Sequence, residues 1–259
     1  MRVARELLDL VLPAGCVCCQ RAGPWWCSDC RPVSKPELVT LARGPTTFAS
    51  GDYATELRTA LLAYKERGNR GLAELLSGYL SDAVDVAARS LSEHPGPPVL
   101  VPVPSNRAAA RERGGDHIRR LSRLVARETS LALVPALQLT RPVADSAGLS
   151  ATQRAANLAH RMRASRASPG LAGRPVVIVD DIVTTGATLV EAQRALAASG
   201  WPTAAAAAIA ATRRRWPAAD PTVDGPAACA VGRPRAASGE VPAGSAQIQD
   251  PFGWAEPVT

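Results

Sequence analysis

The chain has 259 residues, of which 46% are hydrophobic, and a formal net charge of +7. This length accommodates one medium α/β domain with appendages, and the apolar content is that of an ordinary globular protein. Nearly all of the basic residues are arginine, because Lys35 and Lys65 are the only lysines. Together with the abundant alanine this indicates a compositional bias, so the charge alone is weak support for nucleic-acid binding, although it favours anionic ligands.

No apolar run in the sequence is long enough to span a bilayer. The first residues, with Leu7 and Val11 on one face, are predicted as an amphipathic helix. A short apolar stretch before Cys16 faintly resembles a lipoprotein signal, but Glu6 and Asp9 interrupt it. We therefore expect a cytoplasmic protein without membrane insertion, in which thiols stay reduced.

Four cysteines form two CxxC pairs, Cys16 with Cys19 and Cys27 with Cys30. Two such hairpins can supply four thiolates in a tetrahedral arrangement, which zinc accepts as a closed structural site. In a cytoplasmic protein zinc is a better explanation than disulfides, and no helix pattern follows either pair to indicate a redox motif. Cys18 could substitute for one ligand. The alternative is that the cysteines are vestigial and hold no metal.

The first half of the chain alternates predicted linkers, helices and strands. Residues 32–45 are predicted as a linker and residues 48–53 as a short strand. Leucines at helical spacing predict helices over residues 53–68 and 72–91. Residues 99–104 predict a buried strand that runs into a proline-rich loop, since proline suits the end of a strand and not its centre.

The second half continues this alternation around one central strand. We predict a helix from His117, a strand over residues 131–139, and a mobile polar loop over residues 140–154. A short helix is predicted to carry Arg161 and Arg163. After the central strand and its helix, a further strand is predicted in an Ala-rich run, residues 203–212.

The composition also divides the chain into three predicted regions. Residues 1–45 would hold the N-terminal helix, the cysteines and a linker, and residues 46–215 the α/β domain. Residues 216–259 are rich in Pro, Gly, Ala and Ser without an apolar period, which is typical of a disordered tail.

The most informative stretch is residues 176–189. Four β-branched residues predict a strand buried on both faces, Asp180 and Asp181 follow, and a Thr/Gly loop precedes a helix. A helix N-terminus favours a phosphate, and Gly186 lets the backbone approach it closely. The carboxylates would repel phosphate, so they suit sugar hydroxyls or a metal carried in by the ligand. The stretch therefore indicates a sugar phosphate site; the alternative is that the acids cap the helix.

The same stretch closely resembles the motif with which type I phosphoribosyltransferases bind phosphoribosyl pyrophosphate (PRPP). In that family two acids hold the ribose hydroxyls and the following TTG loop holds the 5′-phosphate. The resemblance implies that Asp180 and Asp181 are the candidate catalytic residues. It also implies that PRPP, with Mg²⁺, is bound by Asp180, Asp181, Thr184, Thr185, Gly186, Ala187 and Thr188.

The order of the motifs resembles the ComF family of competence-associated proteins over residues 1–212. The motifs are the paired CxxC, LLAYKERGNR, VPVP, RGGDH in place of the usual RGFNQ, and VVIVDDIVTTGATL. The resemblance implies a parallel sheet of the type I phosphoribosyltransferase kind flanked by helices, with a small N-terminal Cys₄ zinc knuckle. On the pyrophosphate side it implies Val103, Pro104, Ser105, Arg107 and Arg113.

Two functions stay open at this point. The first is a phosphoribosyltransferase that acts on an unidentified acceptor. The second is a binding module in DNA uptake, with little chemistry, whose zinc knuckle and arginines contact single-stranded DNA and other uptake proteins. The Asp180–Asp181 pair favours ligand binding, and the scarcity of aromatic residues weakens a stacking platform for bases.

Overall fold

The structure, a computed structural model, describes residues 15–65, 70–105, 115–140 and 160–212. The chain divides into two units, residues 1–214 and 215–259, and all described residues lie in the first. The helix predicted at the N-terminus, most of the loop predicted over residues 140–154 and the predicted tail lie outside the described residues.

Two sheets are present in the described part of the chain. The larger has six strands in the order β1-β2-β8-β7-β3-β4, and every neighbouring pair is parallel except β1 with β2. The smaller sheet is the antiparallel pair β5–β6. The strands are β1 (Glu37–Val39), β2 (Thr46–Ala49), β3 (Val99–Pro102), β4 (Ala132–Leu133), β5 (Leu137–Leu139), β6 (Met162–Ala164), β7 (Val176–Val183) and β8 (Thr203–Ala211).

Helices flank the larger sheet, as expected for this class of α/β fold. Those described are α1 (Thr55–Lys65), α2 (Ala73–Arg89), α3 (His117–Thr129) and α4 (Ala187–Ala197), with 3-10 turns at Arg70–Leu72 and Pro169–Leu171. Helix α2 packs on β2 and β8, α3 packs on β3 and β4, and α4 lies between β7–β8 and the β5–β6 pair. None of these helices is both long and apolar enough to cross a bilayer.

The two central strands form because their side chains can be buried on both faces. Val176, Val177, Ile178 and Val179 of β7 are fully buried, and the adjoining β8 is almost entirely alanine. Alanine has little intrinsic preference for strands. The extended conformation of β8 therefore results from its burial between helices and its pairing with β7 and β2. Its small side chains let the helices pack close to the sheet. The strand predicted in this Ala-rich run is confirmed.

Strand β7 is longer than the apolar run predicted. It continues through both acids to Val183, because Asp180 pairs with Ala208 and Ile182 with Ala210 of β8. The acids therefore stand inside a hydrogen-bonded ladder and not in the loop that follows it. This pairing holds their backbone in a fixed position.

Three other predictions were wrong. The linker over residues 32–45 contains β1, which pairs with β2. Residues 131–139 form two strands in different sheets, because Pro135 has no N–H to donate and Ala136 turns back to bond Val134 O at 2.8 Å. Arg163 lies on β6, which pairs with β5, and not on a helix.

The order of the strands places the acids at a switch point of the sheet. From β7 the chain passes through α4 to β8 on one side, whereas from β3 it passes through α3 to β4 on the other side. The connections therefore diverge at the carboxyl ends of β3 and β7. Open α/β sheets bind ligands at such a switch point, and Asp180 and Asp181 stand there.

The cysteine-rich segment packs against α2 and the turn before it. The buried ring of Trp26 stacks on Tyr79 of α2, with the ring centroids 5.6 Å apart. The ring of Trp25 lies directly over Gly71, so that any side chain at Gly71 would overlap it. This contact fixes the cysteine-rich segment to the main domain.

Alanine substitutions at two glycines should have opposite effects on stability. Gly71→Ala should lower the free energy of unfolding by about 1–3 kcal/mol, because the new methyl group would overlap the Trp25 ring. Gly78→Ala, within α2 and with open space around the added Cβ, should raise it by about 0.5–1 kcal/mol. Urea denaturation measures both, and a Gly71→Ala variant as stable as Gly78→Ala would contradict the packing.

Candidate functional site

The two acids are buried at the carboxyl end of β7. Asp180 and Asp181 are 8% and 6% exposed. The end of the neighbouring β3 lies beside them, since Val103 N donates to Val179 O at 3.0 Å. Two carboxyl groups are thus held next to each other where water has little access, and they cannot both keep a negative charge without a nearby cation.

Asp181 is bound by two side chains from other parts of the chain. Lys65 Nζ, at the end of α1, lies 2.7 Å from Asp181 Oδ2, and His117 Nε2, at the start of α3, lies 2.5 Å from the same oxygen. Burial alone would raise the pKa of Asp181, but the charge of Lys65 and the hydrogen bond with His117 outweigh it. The pKa of this carboxyl is held well below its usual range, so Asp181 is ionised.

Asp180 has a different environment. Its Oδ1 accepts a hydrogen bond from Asp181 N at 2.8 Å, and no described cation contacts it. Burial, followed by the negative charge of Asp181, raises the pKa of Asp180 to about 8. At neutral pH the pair therefore carries one proton on Asp180 and one negative charge on Asp181.

His117 is held in place by its neighbours. The hydroxyl of Tyr64, in α1, donates to the backbone oxygen of His117 at 3.1 Å, and its ring meets the imidazole edge-on. Asp116 caps α3 by accepting from Arg119 N at 3.1 Å. Because Nε2 faces Asp181, the other ring nitrogen, Nδ1, is left buried without a partner among the described residues.

The loop after β7 leads directly into α4. Gly186 is the N-cap of α4, with φ +77°, and no side chain caps the helix. Neither acid caps it, so the capping alternative for Asp180 and Asp181 is wrong. The N–H groups of the first helical turn have no partners within the helix and, apart from the Ala187 N–H, which donates to Thr185 Oγ1 at 3.3 Å, are available to an anion.

The methyl groups of Leu41 cover one side of this loop. A Cβ built on Gly186 would come within 2.9 Å of Leu41 Cδ1. A side chain at Gly186 would therefore disturb Leu41 and strain the backbone whether or not a ligand is present. For this reason a Gly186→Val variant would not report on the ligand alone.

The residues expected on the pyrophosphate side are partly described. Val103, Pro104 and Ser105 follow β3 at the same edge as the acids, and Ser105 Oγ donates to Asp116 Oδ1 at 2.8 Å. This bond joins the two ends of the loop between β3 and α3. Arg107 and Arg113 lie within that loop and outside the described residues.

The sequence leaves open whether the basic end of α1, at Lys65, faces an anion site or solvent, and it specifies no contact of Asp181. Lys65 stands 116 positions before it (181 − 65) and His117 stands 64 positions before it (181 − 117). The sequence marks these two residues only indirectly. Lys65 is one of only two lysines in the chain, and His117 is one of the positions at which RGGDH departs from RGFNQ. Neither signal specifies a contact, because the contact depends on how α1 and α3 pack.

The four paired cysteines come together as the spacing predicted. The sulfur atoms of Cys16, Cys19, Cys27 and Cys30 all lie within 4.8 Å of one another, and those of Cys19 and Cys27 are 3.8 Å apart. Zinc bound tetrahedrally to four sulfurs at roughly 2.3 Å places them roughly 3.8 Å apart, so the residues present fit that ion.

The thiol chemistry also suits a metal. Burial would raise the pKa of Cys16, but hydrogen bonds from the backbone N–H groups of Cys27, Cys19 and Cys18 lower it to about 6. The Cys18 sulfur is not among the four that lie close to one another: it lies 3.8 Å from Glu56 O in α1, and burial, followed by the charge of Cys16, raises its pKa to about 11. Cys18 is therefore outside the four-sulfur cluster.

Only one oxygen of Asp181, Oδ1, is open to the Mg²⁺ expected with PRPP. Both lone-pair directions of Oδ2 are already taken by Lys65 and His117. Mg²⁺ requires near-octahedral oxygen ligands at about 2.1 Å and keeps several waters. Asp181 can supply at most one of those ligands, so the others would come from water and the substrate.

The protein as purified without chelator should contain about one zinc per chain. Cys27→Ser should abolish zinc binding because it removes one of the four clustered sulfurs. Cys18→Ser should retain the zinc and serves as the matched control, since its sulfur bonds Glu56 O instead. Elemental analysis measures all three proteins. Zinc absent from the wild type, or lost equally in both variants, would contradict this assignment.

The buried proton on Asp180 should make stability depend on pH. Because the pKa of Asp180 is raised from 3.8 to about 8, its contribution is full at low pH and is lost as pH rises toward about 8. Asp180→Asn cannot lose a proton, so it should match the wild type near pH 4 and be more stable at about pH 8. Thermal melts across this range measure the difference; a difference independent of pH would contradict the protonation of Asp180.

Comparison with known proteins agrees with this geometry. A family model described as Phosphoribosyl transferase domain matches residues 112–224, which is less than half of the chain. The match includes His117 and Asp180–Thr188, whereas Lys65 and the segment after β3 precede it. No curated protein matches the chain. The assignment to the ComF family stays a prediction, and so does binding to single-stranded DNA and to uptake proteins. Sequence and fold agree on a phosphoribosyltransferase domain.

Proposed function

We propose that the protein binds PRPP at the carboxyl end of β7 and transfers its phosphoribosyl group. The supporting observation is the pair of buried acids, Asp180 and Asp181, beside the N-terminus of α4 at the switch point of a parallel sheet. This pair lies within the region that matches the phosphoribosyltransferase domain. The arrangement fits a ligand with hydroxyls at one end and a phosphate at the other.

The ribose hydroxyls are matched by the acids. Asp181 uses Oδ2 for Lys65 and His117, which leaves Oδ1 to accept from a hydroxyl. Asp180 carries a proton and can donate to one hydroxyl oxygen or, once ionised, accept from another. Two adjacent hydroxyls on one ring can therefore be recognised together.

The 5′-phosphate is matched by the loop and the start of α4. The amides of Ala187 and Thr188 belong to the first helical turn, where the helix dipole favours negative charge. The hydroxyls of Thr184 and Thr185 add donors at the same place, although Thr185 Oγ1 also accepts from Ala187 N at 3.3 Å. A phosphate would replace that weak internal bond.

Pyrophosphate is expected beside the segment after β3. Val103, Pro104 and Ser105 leave the sheet next to the acids. Mg²⁺ is expected to enter as part of the substrate, bound to the pyrophosphate oxygens. A metal there would neutralise charge on the leaving group when the bond between C1 and the pyrophosphate oxygen breaks.

The acids then have an electrostatic role in transfer. When pyrophosphate leaves, positive charge develops on the ribose ring, as in other glycosyl transfers. The fixed negative charge of Asp181 can stabilise that charge because it lies in a buried, preorganised site. The acceptor that attacks C1 is not identified by any described residue.

Binding of PRPP with Mg²⁺ should require the acids. The double variant Asp180→Asn with Asp181→Asn should bind roughly 10² to 10⁴ times more weakly, because hydrogen bonds to charged groups contribute about 1.5–3 kcal/mol each. Isothermal titration calorimetry measures the affinity. Asp82→Asn on the exposed side of α2 removes one negative charge, as the double variant does while Asp180 is protonated, and should bind like the wild type.

The folded state of each variant must be established by its melting curve and its zinc content. Equal affinity in the wild type and in a folded Asp180/Asp181 variant would show that PRPP binds elsewhere. An equal loss in the α2 control would show that net charge, and not this site, determines binding.

A further inference from the structure

The charge on the acid pair is already balanced by the chain itself. Asp181 carries one negative charge and the Lys65 ammonium one positive charge, 2.7 Å apart. Their side chains are only 8% and 20% exposed, so solvent screens this pair less than a surface pair. A polyanionic sugar phosphate can approach such a balanced site without the repulsion of two bare carboxylates.

The contact of Lys65 with Asp181 also occupies Oδ2, one of the two oxygens that this carboxylate could offer a metal. Asp181 Oδ2 receives both Lys65 and His117, and a carboxylate oxygen has two lone pairs to offer. A divalent ion on the same carboxylate would stand within about 5 Å of the Lys65 ammonium, in a site of low polarity where like charges repel strongly. The ammonium therefore disfavours a divalent ion at Asp181.

Lys65 is placed for this contact by the packing of α1. It is the last residue of α1, and near the other end of that helix Cys18 contacts Glu56 O. Tyr64, its neighbour, is buried and bonds the backbone of His117, so the end of α1 and the start of α3 are joined. The ammonium is thus held in position by several contacts.

We propose that Lys65 takes the place of a divalent cation at Asp181, so that the ribose 5-phosphate part of the ligand binds without metal. The proposal rests on the proposed function, since it concerns the same site. The proposal separates two roles: Mg²⁺ neutralises the pyrophosphate, whereas Lys65 neutralises Asp181. A ligand that has the ribose hydroxyls and the 5′-phosphate but no pyrophosphate should therefore bind equally well with and without Mg²⁺.

The test is calorimetric titration of ribose 5-phosphate into the full chain, with Mg²⁺ and in buffer freed of metal by resin treatment. A soluble chelator is avoided because it would compete for an ion on the four cysteines. PRPP with Mg²⁺ is titrated in parallel, because its binding reports on the proposed function independently. For the wild type we expect ribose 5-phosphate to bind with the same affinity in both buffers.

Variants of Lys65, with a Lys35 variant as the control, test whether the Lys65 ammonium is the cation that matters. Lys65→Met should bind ribose 5-phosphate at least about tenfold more weakly without Mg²⁺, because the uncompensated carboxylate repels the phosphate. Mg²⁺ should restore part of this affinity, because the metal position on Asp181 is then open. Lys65→Arg keeps a cation and should bind without Mg²⁺. Lys35→Met, whose exposed ammonium pairs with Glu37 at 3.0 Å, is the matched control and should behave as the wild type.

A thermal-shift measurement gives a second readout that needs no sugar ligand. Mg²⁺ should raise the melting temperature of Lys65→Met and leave that of the wild type and of Lys35→Met unchanged. If Lys65→Met does not fold, the wild-type titrations and Lys65→Arg still decide the question, because each makes its own prediction about Mg²⁺.

The outcomes separate the two proposals. If the wild type binds PRPP with Mg²⁺ but binds ribose 5-phosphate only with Mg²⁺ or not at all, the role of Lys65 is overturned and the proposed function stands. Equal binding by Lys65→Met and the wild type without Mg²⁺ overturns it as well. If neither ligand binds under any condition, the proposed function itself fails.

Discussion

The contact of Lys65 and His117 with Asp181 is the interaction on which the rest of the site depends. It joins the end of α1, the start of α3 and the centre of the sheet at one carboxylate oxygen. Breaking a buried ion pair by removing one partner costs roughly 3–5 kcal/mol, because the other charge is left without compensation. The three elements are therefore held together by the same group that is placed to meet the ligand, so changes in stability and in binding are coupled at Asp181.

The surrounding fold provides the conditions for that contact. Pairing with β8 fixes the backbone of β7 beyond the acids, and the alanines of β8 let helices exclude water from the sheet. In this dry environment Asp181 keeps its charge only because two donors are present, while Asp180 keeps a proton. One strand thus presents two neighbouring carboxyl groups in different protonation states, which is a common arrangement where groups must both donate and accept.

Much of the fold could be predicted from local pattern. The buried strand β7, the strand β8 and the meeting of the four paired cysteines all follow from residue type and spacing. The division of residues 131–139 has a local cause in Pro135, which the predicted strand overlooked, whereas β6 could not be predicted, because its pairing with the distant β5 determines it. The contacts of Lys65, His117 and Leu41 could not be predicted for the same reason: each residue reaches the site through the packing of elements far apart in sequence.

The most direct measurement is a crystal structure of the full chain with ribose 5-phosphate, grown without divalent cations. We expect the ring hydroxyls within hydrogen-bonding distance of Asp180 and Asp181 and the phosphate at the N-terminus of α4. The Lys65 ammonium should remain on Asp181 in that complex. A sugar bound elsewhere, or a sugar at the acids with Lys65 turned away from Asp181, would contradict the central role assigned to this ion pair.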